Sequence, residues 1–311
     1  MSEPRASDVP PVLTGWRIGV VGLGLMGTPM ARRLAAAGAE LALWNRSIEK
    51  AEALASELRG VSAQPSPRHV AEASDIVIVM VTDADAVREV VFDPVDDQWG
   101  VLHGLAEDGI VVDMGTTGLS ATQDLAGRLR MGGGNWIDAP VSGGTTAAED
   151  GSLTIMVGAS DPDFARVEPV LRVLGKRVTH VGAVGSGQVA KTANQMIVGM
   201  TIGAVAEAMA LGRRAGVDPG LLREAIMGGF AQSRILELHG ERMATGDFRA
   251  RAKATIQRKD MRAALALAQT AGIALPGLET NAALWEAMVE SGFGDLDHSA
   301  LILAVDPPLE D

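Results

Sequence analysis

Between Arg17 and Val181 the chain alternates two hydrophobic rhythms. Short apolar runs stand at RIGVVG (Arg17–Gly22), ELALW (Glu40–Trp44), DIVIVMV (Asp75–Val81), IVVDM (Ile110–Met114), Trp136–Ala139, Leu153–Val157 and Val178–Val181. Runs this short, without polar alternation, suit strands buried on both faces. Between them lie segments of helical spacing: Thr28–Gly38, Ser47–Leu58, Asp83–Val91, Ser120–Arg130 with Ser120 as N-cap, and Asp161–Leu174. The alternation predicts a parallel sheet with right-handed crossovers, and ligands then bind outside the carboxyl ends of the strands. Residues 1–14, with three prolines, read as a disordered lead-in, and Asp93–Gly100 reads as a surface loop.

At Gly185 the pattern changes. GSGQVAKTANQMIVGMTIGAVAEAMALGRRAG (Gly185–Gly216) has no proline and predicts one helix from Gln188 to Arg214, roughly 40 Å long. Its middle is apolar on nearly every face: Met196, Ile197, Val198, Met200, Ile202 and Val205. Such a helix belongs in a large core or a membrane. Lys191, Asn194, Gln195 and Glu207 interrupt it, which speaks against a membrane span. Beyond it only helical spacing remains, at Pro219–Met227, Ser233–Met243, Ile256–Ala271, Pro276–Glu290 and Asp297–Leu303. The acidic tail Asp306–Asp311 reads as frayed. The division expected is a sheet domain over 15–184 and an all-helical domain over 185–311, joined by the long helix. The apolar helix also predicts packing of the helical domain on a second subunit, as a homodimer or homotetramer.

The first βα turn narrows the chemistry. The RIGVVG strand runs into Gly22-Leu23-Gly24-Leu25-Met26-Gly27, and a helix follows. Strand, GxGxxG, helix and strand within 30 residues is the dinucleotide-binding, Rossmann-type arrangement. Gly22 allows the tight turn, Gly24 lets backbone approach a pyrophosphate, and Gly27 lets helix pack on strand. Free N–H groups at the helix start receive the phosphate charge. The second strand ends at Asn45-Arg46-Ser47, with Lys50 a turn later, where NAD sites place a carboxylate for the ribose. Arg46 is suited to a 2′-phosphate, so NADP(H) is expected over NAD(H); the alternative is that Arg46 and Lys50 only form a solvated face. Met80, Val81 and Thr82, and Thr116 in Gly115-Thr116-Thr117, end strands and are expected to line the cofactor.

Two further features carry candidate chemistry. Of the 27 basic residues only five are lysines (Lys50, Lys176, Lys191, Lys253 and Lys259), so each lysine is worth weighing. Lys191, Asn194 and Gln195 share a face of the long helix. A lysine there either snorkels to solvent or acts in proton transfer, for which burial tunes an ammonium. Asp138-Ala139-Pro140-Val141-Ser142-Gly143-Gly144 is either a plain turn or a nest, formed by Ser142, Gly143 and Gly144, for a carboxylate. Composition removes other options. With no cysteine there is no disulfide or thiolate metal site, and no tyrosine hydroxyl is available as an acid. The five histidines follow no metal-ligand spacing, so no metal is expected. The net charge of −12 disfavours nucleic acid and anionic membrane as partners, while a locally positive pocket for a small anionic substrate remains open. Met1–Val9 lacks an apolar leader segment, so a cytoplasmic protein is expected.

Together, GLGLMGTPMA (Gly22–Ala31), DAPVSGG (Asp138–Gly144), GxxxKxxN (Gly187–Asn194) and Lys259-Asp260 resemble the β-hydroxyacid dehydrogenase family. KTANQ (Lys191–Gln195), AIMGGFAQS (Ala225–Ser233) and DHSAL (Asp297–Leu301) are most similar to its tartronate semialdehyde reductase branch. The resemblance covers nearly all of residues 15–303. It implies a fold like that of 6-phosphogluconate dehydrogenase and NAD(P)-dependent reduction of a small carboxylated aldehyde, or the reverse. Lys191 would be the general acid or base. Ser142, Gly143 and Gly144 would bind the substrate carboxylate, Asn194 would orient substrate or lysine, and Lys259 would reach into the cleft. One departure stands out: the family's hydroxyl pair and proline-containing turn after the fifth strand is replaced by Gly115-Thr116-Thr117-Gly118. The rival readings are an imine reductase or reductive aminase on the same scaffold, whose members usually lack this lysine, and a catalytically silent NADP-binding module.

Overall fold

A computed structural model of the chain describes residues 12–92 and 99–307. The chain divides into two units, the first reaching Lys191 and the second beginning at Thr192. The expectations for residues 1–11, most of the Asp93–Gly100 loop and residues 308–311 fall outside the described residues.

The first unit is built on β1 (Arg17–Val21), β2 (Glu40–Trp44), β3 (Val61–Ala63), β4 (Ile76–Val79), β5 (Ile110–Asp113), β6 (Asn135–Asp138), β7 (Val141–Ser142), β8 (Thr154–Gly158) and β9 (Arg177–Gly182). They form one sheet in the order β3-β2-β1-β4-β5-β6-β8-β7, with β9 paired to β8. The first six strands are mutually parallel. The purely parallel expectation needs correction beyond β6, because β8 pairs antiparallel with both β6 and β7. Pro140 follows β6, and the glycine pair Gly143-Gly144, both at positive φ, turns the chain back before β8.

Helices cover both faces, which is why the strands read as apolar runs rather than alternating ones. These are α1 (Gly27–Ala36), α2 (Ile48–Glu57), α3 (Pro67–Glu72), α4 (Ala84–Phe92), α5 (Leu119–Met131), α6 (Gly144–Asp150) and α7 (Asp161–Leu174). Ile18, Val20, Leu43, Ile78, Val112 and Ile137 point to one core with Met30, Leu34 and Leu171. Val21, Val77, Val79, Val111 and Trp136 point to the other with Val70, Val91, Leu125 and Leu129. Two details differ from expectation. Leu13, assigned to the lead-in, is fully buried and its N–H donates to Ala37 O at 2.9 Å. The α5 cap is Gly118 at φ 87°, not Ser120, which lies inside the first turn; the left-handed glycine lets the helix begin earlier.

The long helix, α8 (Ser186–Arg214), runs through the boundary of the two units. By length and composition it would pass as a membrane span, with mean hydropathy 1.4 over its best 18-residue window. Polar contacts punctuate it: Gln257 Nε2 donates to Gln195 O at 2.9 Å and Gln195 Nε2 donates to Asp260 Oδ2 at 2.6 Å. Those polar atoms are thus bonded within the second unit. The second unit continues with α9 (Pro219–Met227), α10 (Arg234–Thr245), α11 (Ala254–Thr270), α12 (Pro276–Met288) and α13 (Leu301–Val305). Its core gathers Ile202, Ala206, Met209, Met261 and Leu301 around Trp285, whose indole N–H donates to Asn281 Oδ1 at 3.1 Å. Asp306, assigned to the frayed tail, is buried and paired with both Arg213 and Arg214 at the end of α8.

Candidate functional site

Because β1, β2, β4, β5 and β6 are parallel, the loops after them emerge at one edge of the sheet. The glycine loop lies there, and close packing explains two of its glycines. A Cβ on Gly22, at φ 100°, would fall 2.4 Å from Met80 O, and one on Gly27 would fall 1.9 Å from Gly22 O. Nothing lies within 4 Å of the Cβ position of Gly24, where the open backbone leaves room for a phosphate. Leu25 is 82 % exposed, Leu23 is buried, and Met26 precedes α1. The amino end of α1 thus has the shape and the backbone donors that a dinucleotide pyrophosphate needs.

Asn45 has a role that the sequence did not suggest. Its Oδ1 accepts from Leu23 N at 2.9 Å, and its Nδ2 donates to Ser47 O at 3.0 Å. It ties the glycine loop to the end of β2. Arg46, Ser47 and Lys50 are exposed beside it, and neither Arg46 nor Lys50 pairs with an acid among the described residues. Most other arginines have a carboxylate partner, as Arg17 has Asp75 and Arg32 has Glu57. After β4, Met80 and Val81 are half-buried and Thr82 is exposed, its hydroxyl donating to Asp83 Oδ2 at 2.9 Å. Thr116 is half-buried in the turn after β5.

That turn is joined to the start of α8 by buried polar groups, none of them given this role from sequence. Asp113, at the end of β5, accepts from Gly115 N at 3.0 Å and from Thr117 Oγ1 at 2.5 Å. Asp138, at the end of β6, accepts from Gly185 N at 2.6 Å and from Gln188 N at 2.9 Å. Gln188 is fully buried, and its Oε1 accepts from Thr117 N at 3.2 Å and Gly118 N at 3.1 Å while its Nε2 donates to Gly115 O at 3.0 Å. Burial, opposed by the Thr117 and Gly115 hydrogen bonds, raises the Asp113 pKa to about 7. Burial also raises that of Asp138, against the N–H groups of the first turn of α8. The available signal was positional: Asp113 and Asp138 are acids at the carboxyl ends of buried strands. Gly187 completes the join, since a Cβ there would lie 2.4 Å from Met156 O and 2.7 Å from Asp138 O.

Lys191 follows Gln188 by three residues on the same helix face and is only 7 % exposed. The residue is therefore buried, which speaks against a side chain extended along the surface. Ser142 is half-buried in the last residue of β7, and its hydroxyl bonds to no described residue. Gly143 and Gly144 have φ of 138° and 71°. The structure adds α6 directly after them, a helix the sequence reading missed.

The second unit holds its own polar group. Asn194 Nδ2 donates to Gln195 Oε1 at 2.9 Å, and Gln195 in turn reaches Asp260 on α11. Lys259 stands beside Asp260 with its side chain about half exposed, its Nζ 3.9 Å from Asp260 Oδ1. Gln257 Oε1 and Asp260 Oδ1 are buried without a hydrogen-bond partner among the described residues. No cluster of three or more metal-ligating residues occurs among the described residues.

Two family models match the chain. The NAD binding domain of 6-phosphogluconate dehydrogenase matches residues 17–182, and the NAD-binding domain of NADP-dependent 3-hydroxyisobutyrate dehydrogenase matches residues 185–305. The 2-hydroxy-3-oxopropionate reductase of Escherichia coli K12 is 41 % identical, over 93 % of this chain and 97 % of that one. Among solved structures, a 3-hydroxyisobutyrate dehydrogenase of Mycobacterium tuberculosis with L-serine superposes with a TM-score of 0.83 at 27 % identity, covering 94 % and 99 % of the two chains. An imine reductase of Pseudomonas sp. shares the fold, with a TM-score of 0.58 at 23 % identity over 93 % and 99 %.

Proposed function

We propose, from the premise that the chain belongs to the β-hydroxyacid dehydrogenase family and is an NAD(P)-dependent dehydrogenase, that it interconverts a small carboxylated aldehyde and its hydroxyacid. The observation that carries this reading is Lys191, held inside the protein on a helix whose first turn is anchored at the nucleotide-binding edge of the sheet.

The nicotinamide, when bound, supplies or accepts the hydride. The chain's own groups do the rest. Gly22, Leu23, Gly24, Leu25, Met26 and Gly27 present the backbone that holds the pyrophosphate, and Asn45 keeps that loop in place through Leu23 N. Met80, Val81, Thr82 and Thr116 border the nucleotide. Arg46 and Lys50, exposed and without acidic partners among the described residues, favour NADP(H) over NAD(H); the carboxamide of Asn45 brings no charge to oppose a 2′-phosphate.

For the substrate, the Ser142 hydroxyl and the Gly143 and Gly144 backbone hold the carboxylate. The Lys191 ammonium donates its proton to the alkoxide oxygen in reduction, and the neutral amine takes it back in alcohol oxidation. Asn194, nearly one turn further along α8, and Lys259 are the remaining substrate-binding residues that the family resemblance implies. A 2-hydroxy-3-oxopropionate-like substrate is the first choice because of the E. coli relative, and the L-serine of the mycobacterial structure carries, on one carbon, the carboxylate and hydroxymethyl group that the reduced product of such an aldehyde would have. We assign the assembly as a homo-oligomer through the helical unit, which exposes Ile197, Leu211, Leu221 and Phe230.

The test is a matched panel with NADPH: tartronate semialdehyde, succinic semialdehyde, glyoxylate, an uncharged aldehyde of similar size and one cyclic imine. Preference for the carboxylated aldehydes, reduced in Ser142→Ala, is the expected result. Turnover of the imine alone would move the protein to the imine reductases, and NADPH binding with no turnover of anything would favour a silent module.

A further inference from the structure

We propose that Gln188 is a positioning residue for hydride and proton transfer: its buried carboxamide holds the Gly115–Gly118 turn in register with the helix turn that carries Lys191. The proposal rests on the reading above, in which Lys191 handles the proton and Thr116 of the turn borders the nucleotide.

The turn has little rigidity of its own. It contains two glycines, one at φ 87°, and no proline, where the family's resemblance led us to expect one. Four residues of such sequence would sample several conformations. Two side chains restrain it instead. From the strand, Asp113 binds Gly115 N and Thr117 Oγ1. From the helix, Gln188 accepts from Thr117 N and Gly118 N and donates to Gly115 O.

A carboxamide is unusually suited to this place. It offers an acceptor for the two N–H groups and a donor for the carbonyl. Glutamate lacks the donor when ionised, and methionine, of nearly the same shape, forms none of the three bonds. Because Gln188 is fully buried, water cannot replace it without repacking. The same helix turn is fixed from the sheet by Asp138, which accepts the backbone N–H of Gln188 itself. The ends of β5 and β6 and the first turn of α8 are therefore closed into one hydrogen-bonded ring. Lys191, three residues along the same face, inherits its position from that ring. Loss of the Gln188 side chain removes three of the bonds that hold the turn.

Misplacement of reacting groups by about 1 Å costs on the order of 10²-fold in rate. Gln188→Met is accordingly expected to lower kcat by about 10- to 100-fold, with KM for NADPH and its directly titrated Kd changed by no more than ~3-fold, since the phosphate contacts remain. The isotope effect with C4-deuterated NADPH should rise as hydride transfer becomes rate-limiting. In the cofactor-free protein, amide exchange at Thr117 and Gly118 should quicken. Gln188→Glu, which retains an acceptor oxygen, carries the same test should the methionine variant not fold. Lys191→Ala is assayed beside them. A merely structural Gln188 would give a lower melting temperature with kcat and isotope effect unchanged well below it, and this would overturn the proposal while leaving Lys191 standing. Wild-type turnover by Lys191→Ala would overturn both readings.

Discussion

Replacing Asp113 by asparagine should remove a pH-dependent instability from the sheet unit. The carboxyl is fully buried, and burial lifts its pKa from the ordinary 3.8 to about 7. Between those values the folded chain keeps a proton that the unfolded chain has lost, so folding stability falls as pH rises through the window. Each tenfold change in proton affinity is worth about 1.4 kcal/mol, which gives roughly 4 kcal/mol once Asp113 is ionised in both states above pH ~8. Asp113→Asn keeps the acceptor for Gly115 N, and its amide donates to Thr117 Oγ1 in place of the bond Thr117 now gives. Only the charge goes. The assay is urea unfolding at pH 5, 6, 7 and 8, followed by fluorescence of Trp16, Trp44, Trp99 and Trp136 in the sheet unit. The stability of wild type minus that of the variant should decline by about 1.4 kcal/mol per pH unit between pH ~5 and ~6.5 and level off above ~8. A difference that stays flat, or that grows with pH, would refute the reasoning.

Other substitutions probe other parts. Gly27→Ala should abolish or weaken NADPH binding at least tenfold in a fluorescence titration, because the new Cβ would meet Gly22 O, a backbone atom, at 1.9 Å; undiminished affinity would mean the loop is looser than this packing allows. Arg46→Ala should weaken NADPH by about 10- to 100-fold, as the ~1.5–3 kcal/mol of a charged hydrogen bond implies, and NADH much less; equal effects on the two would separate Arg46 from the 2′-phosphate. His239, whose pKa burial lowers to about 4, has the opposite linkage to Asp113. The helical unit, followed through Trp285, should lose stability as pH falls from ~6.5 towards ~4, where the unfolded imidazole takes up a proton first. His239→Gln should flatten that decline, and an unchanged acid slope would assign it to another group.

The strands of the sheet unit were legible because burial on both faces writes them as uninterrupted Val and Ile. DIVIVMV and IVVDM could hardly be anything else. The glycine loop was legible for a different reason: only glycine tolerates the approach of Met80 O and Gly22 O. The reversal at β7–β8 was hidden because β7 is two residues long and antiparallel pairing leaves no mark in such a short run. Similarly α3 and α6, of six and seven residues, are too short to show a helical period. Asp306 misled because acidic, proline-containing ends are usually solvated; the paired arginines that hold it are 92 and 93 residues away.

For the site, Lys191 and the Ser142-Gly143-Gly144 segment stood out through residue type and motif. Their supports did not. Asp138 looked like the first letter of a substrate motif, yet its carboxylate caps α8. Gln188 had no pattern around it, because its partners are backbone atoms 70 to 73 residues away and any sequence supplies those. Asn45, placed with the cofactor, spends both ends of its amide on the loop that would receive that cofactor.

Whether Lys191 moves the proton in a carboxylated-aldehyde reduction is decided by one comparison. Wild type and Lys191→Ala are assayed for tartronate semialdehyde reduction, with NADPH affinity titrated separately. The variant should lose about 10²- to 10⁴-fold in kcat, the range general acid–base catalysis supplies, with NADPH affinity nearly unchanged. Turnover by the variant at the wild-type rate would give the proton transfer to another group and take Lys191 out of the chemistry.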